Sequence, residues 1–177
     1  MTSMKSALSM AVMSALMFGC ASDPATSSAD DSAAVTTTAA VAPAPAGVDT
    51  AMMASCDNPT VSEAGPVSKT LYVVGTFPGA SWKHIDARAF EHKGDGLYQT
   101  VVEEQPGKYS MQYAASDWKP QYTAEGRVLN VGETKVLKWG GYGKDTKSTI
   151  EAAGKYVWSV KFDQKANPVA VSLNQCQ

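Results

Sequence analysis

From about residue 69 to residue 173 the chain alternates short apolar runs rich in Val, Tyr, Phe and Trp with turn residues, Gly, Pro, Asp and Asn, every 8 to 12 positions or so. This spacing predicts an all-β domain. Strands are expected at residues 70–76, 89–92, 97–103, 108–114, 127–131, 134–139, 148–151, 155–162 and 169–173. Several turns between them are explicit: Lys93-Gly94-Asp95-Gly96, Gln105-Pro106-Gly107, Asn130-Val131-Gly132-Glu133 and Ala153-Gly154. Two strands open alike, Gly107-Lys108-Tyr109 and Gly154-Lys155-Tyr156. Each then places large residues at alternate positions, which sends one row into a core. Trp158, flanked by Tyr156 and Val160 in that alternation, is expected inside.

The N-terminal pattern is different. One lysine, Lys5, precedes an apolar run from Ala7 to Phe18. That run is shorter than the roughly 20 apolar residues that span a bilayer, and it has the flanks of a cleaved secretory signal. Leu16-Met17-Phe18-Gly19-Cys20 then resembles the bacterial lipobox, which implies lipidation of Cys20. Met17 stands where Leu is usual and Phe18 where a small residue is usual. The alternative is an ordinary signal cleaved near Ala21. Both readings export the chain, and the lipidated one places it in the cell envelope. Ala21 and Ser22, in place of an aspartate, favour the outer membrane by the same resemblance.

Residues 20–55 are dominated by Ala, Ser, Thr and Pro and contain no aromatic. Ordering such a stretch buries too little apolar surface to offset its conformational entropy, so a disordered tether is expected there. The organisation predicted is a signal over 1–19, a tether over 20–55 and a sandwich domain over 56–177. Cys56 and Cys176 bracket that domain, and an oxidising compartment makes a disulfide between them the simplest expectation.

Composition narrows the function. A formal charge of −2 over 177 residues lacks the basic surplus of a nucleic-acid binder. Only two histidines, His84 and His92, are present, and neither has Cys or carboxylate company at a zinc spacing. No phosphate loop, His-Glu zinc motif or Ser-His-Asp order appears, and no cofactor is expected. Asp95, Glu103, Glu104, Asp117 and Glu125 are expected in turns or facing solvent, which does not suit the opposed carboxylate pair of a glycosidase. An enzyme is therefore not expected.

The stretches Leu71-Tyr72-Val73-Val74-Gly75 through Trp82, Gly94-Asp95-Gly96-Leu97-Tyr98, Pro106-Gly107-Lys108-Tyr109 through Ala114, and Asp117-Trp118 resemble a known family. It comprises the early-set immunoglobulin-like starch- and glycogen-binding modules that accompany α-amylases, pullulanases and branching enzymes. The segment Leu129 to Tyr156 looks like the pullulanase-associated variety. The resemblance implies an immunoglobulin-like β-sandwich that binds α-glucan without catalysis, near a partner glycoside hydrolase or porin. Two departures stand out: Pro78-Gly79-Ala80-Ser81-Trp82 replaces the usual Asn-x-Trp loop, and Gln112 stands where Phe or Lys is usual.

Such modules stack sugar faces on flat rings and hydrogen-bond the hydroxyls beside them. Trp82 and Trp118 lie in turn contexts, Trp139 ends a strand before Gly140-Gly141, and Tyr142 follows on a glycine-rich loop. These four are candidate platforms, with Lys83, Asp117 and Lys119 as candidate polar partners. For each tryptophan a core position is the alternative, and for each charge a solvated loop. The competing function is a structural or assembly lipoprotein of the envelope whose loops contact a protein.

Overall fold

A computed structural model describes residues 43–177. The signal, Cys20 and most of the expected tether lie outside the described residues. Nine strands follow a short helix: α1 (Thr50–Ala54), β1 (Leu71–Gly75), β2 (Glu91–His92), β3 (Leu97–Glu104), β4 (Gly107–Ala115), β5 (Gln121–Ala124), β6 (Glu133–Trp139), β7 (Thr146–Ile150), β8 (Gly154–Phe162) and β9 (Pro168–Gln175). All their pairings are antiparallel.

The strands form one path, β1-β4-β5-β6-β9-β8-β3-β2, with β7 paired to β4. β6 turns that path into two layers. Its first residues, Glu133 to Val136, pair with β9, and its last, Leu137 to Trp139, pair with β5. The first layer, β1, β4, β5 and β7, therefore packs back onto the second, β9, β8, β3 and β2. Their inner faces meet where Trp158 lies 6.0 Å from Phe77 and 6.4 Å from Tyr113, and Tyr122 lies 5.0 Å from Phe162, between ring centroids. This is the expected all-β, immunoglobulin-like sandwich, and Trp158 is fully buried in it.

Sequence and structure part at four places. The expected strand at 127–131 is absent: residues 125–127 form a 3-10 turn, Gly126 and Arg127 both have positive φ, and Val128 makes a single bridge to Lys147. The strand of this region is β5, four residues long and directly behind Pro120, too short for its alternation to stand out. The expected strand at 89–92 is divided between the layers: Ala89 bridges Tyr72 of β1 and Phe90 N–H donates to Leu71 C=O at 2.8 Å, so only Glu91–His92 pairs with β3. Glu104, expected to face solvent, is 1% exposed on the inner face. Arg88 Nη1 and Nη2 each donate to its carboxylate at 2.8 Å, and Trp158 Nε1 donates at 2.9 Å. A carboxylate satisfied by three charge-assisted or indole donors is tolerated in a core where a lone one is not.

The fourth difference is the start of the fold. The segment expected to be disordered up to residue 55 contains α1, capped by Asp49 accepting from Met52 N–H at 3.0 Å. Its Met53 is 1% exposed and packs with Leu97 and Ala170 on the outer face of the second layer. Polar side chains fix the backbone there. Gln99, Ser159 and Ser172 stand directly opposite one another across β3, β8 and β9 and so share one face. Met53 C=O accepts from Ser159 Oγ at 2.6 Å and from Gln99 Nε2 at 3.2 Å, and Ser55 C=O accepts from Gln99 Nε2 at 3.1 Å. Asn58 Nδ2 donates to Gln99 Oε1 at 2.8 Å. The Cys56–Cys176 disulfide, with Cα atoms 5.9 Å apart, ties this strap to the end of β9. By the chain-entropy account a closed loop of this length stabilises by roughly 4 to 5 kcal/mol.

Candidate functional site

Strand register shows which side chains of the first layer face outward. Tyr113 stands opposite Val73 and Tyr122 and turns inward, so Gln112, Ala114 and Gln121, offset by one residue, turn outward. Three connections bear on this outer face: residues 76–90 after β1, 116–120 between β4 and β5, and 140–145 between β6 and β7. They enclose a cavity of about 700 Å³ lined by Trp82, Trp118 and Tyr142, with Gln112, Gln121, Gly143 and Asp145. That volume lies within the usual range for organic-ligand sites.

Both cavity tryptophans hold unusual backbone. Trp82 has φ of 53° and Trp118 has φ of 63°, in the left-handed region that costs a side-chain-bearing residue about 1 to 2 kcal/mol. Turn hydrogen bonds keep them there: Trp82 N–H donates to Gly75 C=O at 2.7 Å, and Trp118 N–H donates to Ala115 C=O at 2.8 Å. Asp95, Arg127 and Ala166 share this backbone region away from the cavity, so it is the meeting of Trp82 and Trp118 in one cavity that singles these two out as candidates. The ring centroids are 6.4 Å apart and the planes tilt by 42°, so together they make a bent apolar wall. The His84 ring supports Trp118 edge-on at 4.7 Å and itself meets Tyr72 at 5.2 Å. Trp82 remains 36% exposed and Tyr142 wholly so.

The polar wall consists of neutral amides and one acid. Gln112, 3% exposed, donates through Nε2 to Asp145 Oδ1 at 2.7 Å and to Gly141 C=O at 3.0 Å. Gln112 Oε1 and Gln121 Oε1 are both buried without a hydrogen-bond partner among the described residues. An unpaired buried acceptor costs about 1 to 3 kcal/mol, so a small rotation of the Gln121 side chain that met a hydroxyl donor would be favourable. Rings beside amide acceptors suit a ligand with flat apolar faces and hydroxyl edges.

The remaining sequence candidates are placed differently. Lys83 is exposed next to Trp82. Asp117 accepts from Lys69 Nζ at 2.6 Å and from Lys119 N–H at 3.3 Å, and Lys119 C=O also accepts from Lys69 Nζ, at 2.8 Å. These groups brace the 116–120 turn from behind and are not among the lining residues. The Lys69 hydrogen bond holds the Asp117 carboxyl below the usual carboxylate range. Trp139 stands opposite Tyr122 and thus on the inner face, beyond the margin of the core, 59% exposed and with its ring centroid 5.0 Å from that of Tyr122. It faces away from the cavity, because strand alternation decides the side and the following Gly140-Gly141 does not.

Gln112, Gln121, Gly143 and Asp145 were not candidates. For Gln112 a signal existed: it is one of the two departures from the family pattern, at the outward position between Met111 and Tyr113 of the inward series. Asp145 carries no such mark, since only the folded loop brings it to β4. Among the described residues no group of three or more His, Cys, Asp or Glu gathers to hold a metal ion.

Comparison with known proteins gives one firm relation. A solved structure described as "Ligand induced structure of AmyP-SBD" matches this chain at 47% identity with a TM-score of 0.58, covering 81% of this chain and 96% of that one. No protein-family model and no curated protein matches.

Proposed function

Because the chain belongs to the starch-binding domain family that AmyP-SBD represents, we propose that it binds α-glucan chains, from starch, glycogen or maltodextrin, in the cavity on the outer face of its first layer. One observation carries this reading: Trp82, Trp118 and Tyr142 converge on a single cavity whose polar wall is built of Gln112, Gln121 and Asp145. Glucose units stack their apolar faces on the bent ring wall, and a hydroxyl beside them donates to the Gln121 amide oxygen. Binding is the whole activity. Asp145 is the one carboxylate among the residues lining the cavity, and it is engaged by Gln112, whereas glycoside hydrolysis uses two opposed carboxyl groups. Affinity per site is modest, since an open groove leaves much of the sugar hydrated.

The purified protein is expected to be retained on insoluble starch and released by maltodextrin, with no retention on cellulose or chitin. Retention on none of the three would remove the proposal. The lipobox-like sequence ending at Cys20 extends it to the envelope. In that reading the acylated cysteine anchors the chain at the outer membrane and holds glucan near a glycoside hydrolase or porin. Cys20→Ser is expected to move the protein from the membrane to the soluble fraction, and unchanged fractionation would remove the anchor.

A further inference from the structure

Of the three rings at the cavity, Trp82 and Trp118 are tied through their own backbone N–H groups, whereas Tyr142 stands at the corner of a turn closed by Lys144 N–H donating to Gly141 C=O at 3.0 Å. Tyr142 lies between Gly141, with φ of 152°, and Gly143, with φ of 72°, and its side chain is fully exposed. Both glycines sit in backbone regions open to few other residues, so the segment has wide freedom when unrestrained. Its first end is pinned by Gly140 N–H donating to Gln121 C=O at 2.8 Å, and its last runs into β7.

Between these ends the Lys144–Gly141 turn bond is joined by Arg127 Nη1 donating to Gly143 C=O at 3.3 Å, and the two shortest side-chain restraints come from one residue on β4. Gln112 Nε2 donates to Gly141 C=O at 3.0 Å and to Asp145 Oδ1 at 2.7 Å, from a position only 3% exposed. Both partners are pure acceptors, so the carboxamide orientation is fixed and both of its N–H groups are used on the loop. The two bonds straddle Tyr142 in sequence. We infer that Gln112 is a positioning residue of the glucan site, whose carboxamide holds the 140–145 loop so that Tyr142 stands at the cavity as the third stacking ring. This rests on the glucan-binding reading above. Without the clamp, only the Lys144–Gly141 turn bond and the Arg127–Gly143 bond hold a loop containing Gly140, Gly141 and Gly143, so the ligand must supply the rest of its ordering, and that entropy is subtracted from affinity.

The variant Gln112→Leu removes the two clamp bonds. It also removes an acceptor, Oε1, that has no partner among the described residues, so its effect on folding is expected to be small. The experiment is calorimetric titration of the full chain with maltoheptaose for the wild type, Gln112→Leu, Tyr142→Ala and the double variant. Each single change is expected to weaken binding about tenfold, as loss of an anchoring ring does. The double variant is expected to be no weaker than about tenfold, because both changes remove one ring from one place. A hundredfold loss in the double variant, or wild-type affinity in Gln112→Leu, overturns the inference. Should Gln112→Leu fail to fold, Asp145→Ala breaks the same clamp from the loop side. Its loss is expected to vanish in a Tyr142→Ala background, and a persisting loss overturns the inference. If the wild type binds neither maltoheptaose nor starch, the glucan reading itself fails; if it binds and the losses simply add, only the clamp fails.

Discussion

The two outer faces of the sandwich are built from similar outward rows and end in opposite conditions. On the second layer, Gln99, Ser159 and Ser172 meet backbone carbonyls of the chain's own N-terminal strap, Met53 is buried with Leu97 and Ala170, and a disulfide secures the arrangement. On the first layer, Gln112 and Gln121 keep acceptors with no partner among the described residues, and aromatic rings stand around a cavity of about 700 Å³. An outward glutamine thus serves either role. Gln99 is matched by a covering peptide that offers three carbonyls and an amide, whereas Gln112 holds a loop at the edge of a space left for another molecule. A fully covered face adds stability, and an incompletely satisfied one is where a ligand finds unmet hydrogen-bonding capacity.

If the faces divide stability from binding, changes to the strap should alter melting and spare starch affinity, and changes to the cavity should do the reverse. The largest effect is expected from Cys56→Ser. Losing the disulfide is expected to cost about 4 kcal/mol by chemical denaturation while starch retention at low temperature stays unchanged. A parallel loss of retention would show that the two faces are coupled. Met53→Ala comes next, with about 2 kcal/mol lost, near the low end for a buried methionine because a five-residue helix can shift into the space. Its affinity for maltoheptaose should equal that of the wild type.

On the cavity side, Trp82→Gly and Trp118→Gly are each expected to weaken starch binding about tenfold, or about 1.4 kcal/mol. Each glycine variant should melt higher than the corresponding alanine variant, because glycine occupies the left-handed backbone without strain and alanine does not. Equal melting temperatures in each Gly and Ala pair would remove the strain argument.

The smallest effect concerns acid. Lys69 lowers the Asp117 carboxyl below its ordinary value of about 3.9, so the ionised form is the one favoured by the fold. The brace on the 116–120 turn is therefore complete above that ordinary value and is lost as pH falls through the lower folded one. Starch retention should hold level between pH 7 and about pH 5 and decline only in stronger acid. Asp117→Asn should remove that local component. Glu91 and Asp163 are lowered in the same direction but brace other turns, so an acid decline identical in Asp117→Asn would assign the effect elsewhere.

Much of the architecture was legible in the chain because its cause is local. Alternation with a period of two, turn residues at short intervals and paired Gly-Lys-Tyr openings are sufficient for most of the strands, for the inward placement of Trp158 and for an all-β sandwich. The pairing of Cys56 with Cys176 was also legible, since two cysteines bracketing one domain, behind an N-terminus that resembles a secretory signal, have few alternatives. The turn contexts of Trp82 and Trp118 marked them as candidates, and the cavity contains both.

Tertiary structure decided what depends on which face and which neighbour. Trp139 looked equivalent to the other two tryptophans, yet register with Tyr122 turns it to the inner face; a shift of one residue would have reversed this. Glu104 looked solvent-facing, yet Arg88, 16 residues away, makes its burial tolerable. Composition gave residues 50–55 no reason to be ordered, because the polar ladder that holds them comes from three strands distant in sequence. Gln112 and Asp145, 33 residues apart, acquire their roles only when β4 and the 140–145 loop meet. Period and turn chemistry act between neighbours along the chain and can be read there, whereas pairing, burial of charge and the closure of a cavity arise between segments that only folding brings together.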